Sequence, residues 1–263
     1  MPRATDPKAI RTILETDRAW SVYALADLAP EYSAPAEWHI AANSRPAVML
    51  LYRGFRTPVL FAHGTTTDLF AVLPEVASEP EFYISVLAGV AGMLRGAGYD
   101  IPDEKHMWRM VLEAGRFASR NHVAIRLGAD NYEELTALYA DGEATGERPP
   151  FFDAGMLKHG IFFGIRDRRE LVAAAGTHVV AVEEGVAAIG NVYTRRDRRG
   201  KGYARQLTGA VTGELIRMGV PTIALNVDQS NAPAIHVYEG LGFRRHCDYR
   251  EGLAVNVPTK RVR

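Results

Sequence analysis

Cysteine is nearly absent: the 263-residue chain carries one, Cys247. A single cysteine cannot close an internal disulfide, which fits a reducing compartment. Net charge is absent too. Lys plus Arg and Asp plus Glu both number 31, so no global field draws the chain onto a nucleic acid or an anionic membrane. No apolar run reaches bilayer-spanning length; Val48 to Tyr52 and Val59 to His63 are strand-sized. Met1 to Asp6 lacks the apolar core of a secretory signal, and the expected compartment is the cytoplasm. His63, His106, His122 and His159 are scattered without H-E-x-x-H or Cys/His spacing, so no metal is expected. What is there is 47% hydrophobic and 24% charged, the proportions of a globular protein with one large domain or two ordinary ones.

The basic character is local, at Arg195, Arg196, Arg198, Arg199, Lys201 and Arg205. An apolar run, Val186 to Thr194, reads as a strand. Arg205 to Met218 reads as an amphipathic helix. Between them lies Arg199-Gly200-Lys201-Gly202-Tyr203-Ala204. A strand, a glycine-rich turn and a helix together form a phosphate site, because the first free N–H groups of the helix point at the ligand and its dipole favours negative charge. Gly202 has no Cβ to block the approach. The expected guest is a pyrophosphate. The dinucleotide fingerprint G-x-G-x-x-G is not met, since Arg205 stands at its third glycine, and the P-loop Gly-Lys-Ser/Thr ending is missing.

Arg199-x-x-Gly202-x-Ala204 resembles the Arg/Gln-x-x-Gly-x-Gly/Ala loop of the GNAT superfamily of acyl-CoA N-acyltransferases. A short strand, Thr222 to Val227, follows the helix. Then Asn231-x-x-Ala234-x-x-x-Tyr238-x-x-x-Gly242-Phe243 is similar to that superfamily's second motif. The order read from His122 onward is strand, two helices (Asn131 to Tyr139, Phe151 to His159), and three strands (Ile161 to Ile165, Leu171 to Val182, Val186 to Thr194). Helix, strand, helix and strand complete it, as the resemblance implies. The implied fold is α/β of the α+β kind, with a mixed, mostly antiparallel sheet flanked by helices. It covers residues 119–263. Residues 1–118 read as a second α/β lobe, similar to GNAT lobes that have lost cofactor binding. There a helix is expected from Pro7 towards Leu28, strands at Ala47 to Tyr52 and Val59 to Ala62, a helix over Phe82 to Arg95, and a strand near Trp108 to Glu113.

The resemblance implies an N-acetyltransferase that moves an acetyl or other acyl group from acetyl-CoA to a primary amine. Val192, Tyr193 and Thr194 would offer a strand edge to the pantetheine arm. Arg199, Gly200, Lys201, Gly202, Tyr203, Ala204 and Arg205 would hold the pyrophosphate. Asn231 would bind the cofactor arm or cap its helix. Tyr238 would be the general acid for the leaving thiolate; a phenol with a pKa of about 10 is protonated at neutral pH. The glutamates that act as base in better understood relatives correspond to Ala188 and Asn226 here, so His178 is the candidate base, beside a satisfied sheet histidine, proton loss through water, or an amine that arrives neutral. The acceptor would be a small-molecule or peptide amine, with neither nucleic acid nor membrane as partner. The N-terminal lobe would close one side of the acceptor site or mediate a homodimer, and the sequence does not decide between them. A non-catalytic acyl-CoA sensor or scaffold is the alternative, because both carboxylates are missing.

Overall fold

The Asp6 carboxylate accepts the Lys8 amide at 2.9 Å, and Pro7 takes the first helical position. This pre-organised start opens α1 (Pro7–Leu14), whose Ile10, Ile13 and Leu14 are buried. The helix does not run on towards Leu28 as expected. Asp17 accepts the Trp20 amide at 3.0 Å, a local side-chain bond that competes with the helical ladder. The chain turns there before α2 (Val22–Ala26) and α3 (Pro30–Ser33). In this computed structural model residues 6–41, 45–113, 115–118 and 124–257 are described.

The chain divides into two units, Met1–Trp108 together with Cys247–Arg263, and Arg109–His246. The last residues group with the first unit because Arg250 to Asn256 form strand pairs there. The first unit continues with β1 (Ala36–Ala41), β2 (Ala47–Tyr52), β3 (Val59–His63), α4 (Thr66–Leu69), α5 (Leu73–Val76), β4 (Glu81–Val86), α6 (Ala88–Gly96), β5 (Tyr99–Asp100) and the start of β6 (Lys105–Leu112). β1, β2 and β3 pair antiparallel, and β3 pairs parallel with β4. Its core gathers Met49, Leu51, Leu60, Phe82, Ile84, Val86 and Leu94, each fully buried aliphatic or aromatic side chain contributing about 1.5–3 kcal/mol.

The helix expected over Phe82 to Arg95 is a strand followed by a helix. Phe82, Ile84 and Val86 are buried, while Glu81, Tyr83 and Ser85 are not. That alternation has period two, which is a strand's period. Only from Ala88 onward does a helical face, Val90, Ala91 and Leu94, take over.

The second unit holds β7 (Ile125–Leu127), α7 (Tyr132–Ala140), α8 (Ala154–His159), β8 (Phe162–Asp167), β9 (Glu170–Ala181), β10 (Val186–Thr194), α9 (Tyr203–Arg217), β11 (Thr222–Asp228), α10 (Ala232–Leu241) and the start of β12 (Phe243–Asn256). The element order matches expectation; His122, at the head of the expected first strand, lies outside the described residues. The sheet order is β11-β10-β9-β8-β7, antiparallel except for the parallel β10–β11 pair. Leu135, Leu138 and Tyr139 of α7 pack with Leu157 of α8 on Phe162, Leu171, Ala174 and Tyr193 of the sheet. Among the described residues no helix is long and apolar enough to cross a membrane.

Candidate active site

β10 and β11 run side by side only at their beginnings. Their register goes from Val186↔Thr222 to Ile189↔Leu225 and stops, although β10 continues to Thr194 and β11 to Asp228. On the other side of β10 the pairing with β9 shifts between Gly190 and Tyr193. Asn191 sits in that irregularity with φ 52°. A bulge of this kind bends the strand and re-aims its groups. Tyr139 of α7 locks it by donating its hydroxyl to the Asn191 carbonyl at 3.0 Å. Val192 to Thr194 therefore leave β11 and present an edge on the parting side.

That edge leads into the glycine-rich turn. Gly200 and Gly202 have φ of 77° and 75°, left-handed conformations that favour glycine. A Cβ at either would meet nothing within 4 Å, so the backbone conformation, rather than packing within the chain, demands glycine. α9 begins at Tyr203 with Gly202 as its N-cap and no side-chain hydrogen bond to its first turn. The opening N–H groups of a helix lack intrahelical partners. Here they stand at the positive end of a 15-residue helix, which suits an anion.

The guanidinium groups before the turn are already paired. Arg195 meets Asp197 and Glu170, Arg198 meets Asp167 and Asp197, and Arg199 meets Glu147. The local basic cluster is thus largely self-neutralised. Arg199 Nε also donates to the Thr194 carbonyl at 3.2 Å, and its guanidinium lies 5.9 Å from the centre of the Tyr193 ring. Arg205 reaches away from the turn and donates to the Gly240 carbonyl at 3.0 Å. It fastens the start of α9 to the end of α10.

α10 carries the second motif. Asn231 caps it, its side-chain oxygen accepting the Ala234 amide at 3.1 Å. Pro sits in the first turn, and Gly242 ends the helix with φ 102°. Tyr238 projects into a nearly closed setting, 7% exposed, edge-on to Phe243 at 6.4 Å. Burial pushes its phenol up to about 12, so the hydroxyl stays protonated across the neutral range.

The acetyltransferase (GNAT) family matches residues 129–243, the stretch that contains the parting strands, the turn and α10. Residues 129–243 are a GNAT acetyltransferase domain. The mycothiol acetyltransferase of Thermomonospora curvata is 34% identical over 122 residues, 45% of this chain and 35% of the relative. That of Thermobifida fusca is 27% identical over 235 residues, 86% of this chain and 62% of the relative. The chain spans about a third of the length of the first of these relatives. Among solved structures, a tandem GNAT protein from the clavulanic acid biosynthesis pathway superposes with a TM-score of 0.59 at 13% identity. That superposition covers 97% of both chains, a likeness of fold. The mixed, mostly antiparallel sheet flanked by helices is the GNAT fold, and the tandem neighbour fits a second, N-terminal lobe.

Neither strand position named in the sequence as a place for a basic carboxylate carries one. Ala188 is fully buried in β10, and Asn226 stands on β11 just past the point of parting. His178 of β9 is half-buried. Burial first, and the Arg109 charge second, push its imidazole down to about 4; a side-chain hydrogen bond with Asn191 works the other way. His178 is neutral at pH 7 but a feeble base. Taking a proton from an ammonium of pKa near 10 would be uphill by about 8 kcal/mol. Among the described residues no group of three or more His, Cys, Asp or Glu side chains is placed to hold a metal ion.

On the α7 side of the GNAT domain lies a cleft of about 190 Å³, lined by Thr136, Tyr139, Arg148, Pro149, Pro150 and Phe152. Phe152 stacks on Tyr132 and stands edge-on to Tyr139. Three residues that the sequence did not single out shape this side: Tyr139, which locks the bulge, and Asp141 and Glu147, which hold the neighbourhood of the turn. Asp141 is kept below the usual carboxylate range by the Arg196 amide and the Tyr193 hydroxyl. Glu147 is lowered by Arg199 and then by Thr145. Asp141 to Pro150 reads as an ordinary polar loop, and the partners lie more than fifty residues away along the chain.

Proposed function

We propose that this protein transfers an acyl group, acetyl first among them, from its CoA thioester to a primary amine. The observation that carries this reading is the continuity of the parting β10 edge with an uncapped helix N-terminus through two left-handed glycines. The edge at Val192 to Thr194 supplies amide and carbonyl groups for the arm of the co-substrate. The N–H groups from Gly200 to Ala204, with Lys201, receive the pyrophosphate. The amine nitrogen attacks the thioester carbonyl carbon, a C–N bond forms, and the C–S bond breaks. Tyr238 donates its hydroxyl hydrogen to the departing sulfur. With its pKa near 12 against about 8.5 for a thiol, it serves best as a hydrogen-bond donor that stabilises the thiolate. The proton shed by the amine leaves to water, because His178 is too weak a base to hold it.

The first unit is read as a lobe without cofactor. It repeats a strand, a helix start and a second, parallel strand at β3, α4 and β4, but there Thr65 caps the helix, its hydroxyl accepting the Asp68 amide at 3.3 Å. A helix start satisfied by its own side chain has less to offer an anion than Gly202 does.

The names of the relatives add de-acetylated mycothiol to a panel of amines, amino acids and peptides as acceptors. Calorimetry with acetyl-CoA, followed by assay of free CoA release across that panel, tests the proposal. Binding and turnover support it; absence of acetyl-CoA binding sinks it. The neutral residues at Ala188 and Asn226 favour a second reading, an acyl-CoA sensor without turnover. Binding with no CoA release from any acceptor would select that one.

A further inference from the structure

Two side-chain ties join the segment between α7 and α8 to the chain around the glycine-rich turn. Asp141, at its start, accepts the Tyr193 hydroxyl at 2.8 Å and the Arg196 amide at 3.1 Å. Glu147, at its middle, accepts from both terminal nitrogens of Arg199, at 2.9 and 3.1 Å. Thr145 donates to the same carboxylate at 2.8 Å, and the Glu147 amide donates to the Gly142 carbonyl at 2.9 Å. The segment has little slack. A Cβ on Gly142 would lie 2.8 Å from the Arg148 nitrogen and 3.0 Å from the Tyr193 ring. Arg148 and Pro149, the next two residues, form one wall of the cleft. The carboxylate that grips Arg199 therefore also sets where that wall stands.

An exposed ion pair contributes at most about 1 kcal/mol to stability. A two-pronged carboxylate–guanidinium pair, however, fixes orientation as well as distance. Whatever immobilises Arg199 immobilises Glu147, and the effect is reciprocal.

We propose that Glu147 is a positioning residue acting through Arg199: it registers the Arg148–Pro149 wall of the cleft to the glycine-rich turn, so that occupation of the turn by the co-substrate orders that wall. The inference rests on the acyl-CoA reading of the turn. It gives the turn and the cleft a fixed thermodynamic relation, in which CoA binding orders the cleft wall and any ligand that orders the wall tightens CoA.

Hydrogen exchange on the whole protein, with CoA as the probe, tests it. In the wild type, saturating CoA slows amide exchange across residues 142–148 by roughly five- to tenfold, the usual size of a coupling between sites. Glu147→Ala binds CoA within about threefold of the wild type, as expected for loss of an exposed pair, yet CoA no longer slows exchange in 142–148. A merely structural loop contact would change exchange equally with and without CoA. The proposal is overturned if bound CoA leaves 142–148 unchanged in the wild type, or if the slowing persists in Glu147→Ala. Calorimetry in parallel separates the two failures. CoA that binds without protecting the segment removes the Glu147 role alone, whereas CoA that does not bind removes the acyl-CoA reading and this inference with it.

Discussion

The imidazole of His178 stands where a side chain on Gly190 would have to be: a Cβ there would lie 2.1 Å from Nε2 and 2.3 Å from Cε1. The two residues sit diagonally on neighbouring strands: Gly190 pairs with Gly176, and His178 is the residue passed over between the Ala188–Val179 and Ile189–Thr177 pairs. His178 and Gly190 are therefore a matched pair. Gly190→Ala should destabilise the protein by about 1–3 kcal/mol, the range for overpacking a filled site. Adding His178→Ala to that variant should recover most of the loss. Urea midpoints of the two single variants and the double variant give the coupling. Strict additivity would mean that the ring turns aside freely.

The same histidine makes a pH prediction. Its folded pKa, about 4, lies below the unfolded value of about 6.5. The unfolded chain thus takes up this proton first as pH falls. Stability from the neutral ring is fully present above about pH 6.5 and drains away between there and about pH 4, at up to about 1.4 kcal/mol per pH unit. Over that window the loss reaches about 2–3 kcal/mol. His178→Gln should lack this part of the acid sensitivity. His63, lowered by burial, and the paired carboxylates add their own slopes, so the readout is the difference between wild type and variant. Identical slopes would show that His178 is not held neutral.

Gly202 offers a ranking. Its φ of 75° and the open space around its α-carbon mean that substitution is resisted by backbone conformation alone. A non-glycine residue in the left-handed region costs about 1–2 kcal/mol, least for Asn and most for β-branched residues. CoA affinity should fall in the order wild type, Gly202→Asn, Gly202→Ala, Gly202→Val, with folding stability lowered in the same order. A Val variant that binds CoA like the wild type would show that the turn does not need this geometry.

The strand, left-handed turn and helix start were legible in the sequence because they are set by local chemistry. Six consecutive residues and the two elements beside them carry it, and the strand at Val186 to Thr194 has the bounds that its apolar run marks. α10 was legible for the same reason, since its cap, tyrosine and terminal glycine lie within one short stretch. The parting of β10 from β11 was not, because register between strands 36 residues apart leaves no mark on either strand. Nor was the grip of Glu147 on Arg199, which joins two loops separated by 52 residues. In the first unit β4 and α6 merged into one apparent helix, because the apolar residues run from one into the other with Leu87 alone between them. The return of Arg250 to Val255 onto β4 depends on a pairing across more than 160 residues.

Tyr238→Phe isolates the hydroxyl. The ring remains to pack on Phe243, so folding stability should change little. The lost interaction develops only as the C–S bond breaks, so kcat should fall while acetyl-CoA affinity holds. Proton-donating groups contribute about 10²- to 10⁴-fold. A phenol raised to about 12 sits well above the thiol, which limits full proton transfer and places the expected loss at the lower end, about a hundredfold. The same pKa predicts that the wild-type rate shows no alkaline limb from Tyr238 below about pH 11. Stopped-flow measurement of CoA release, with chemistry confirmed as the slow step, reads both. An unchanged kcat in the Phe variant would reduce Tyr238 to a packing role and leave the departing sulfur to be met by another donor.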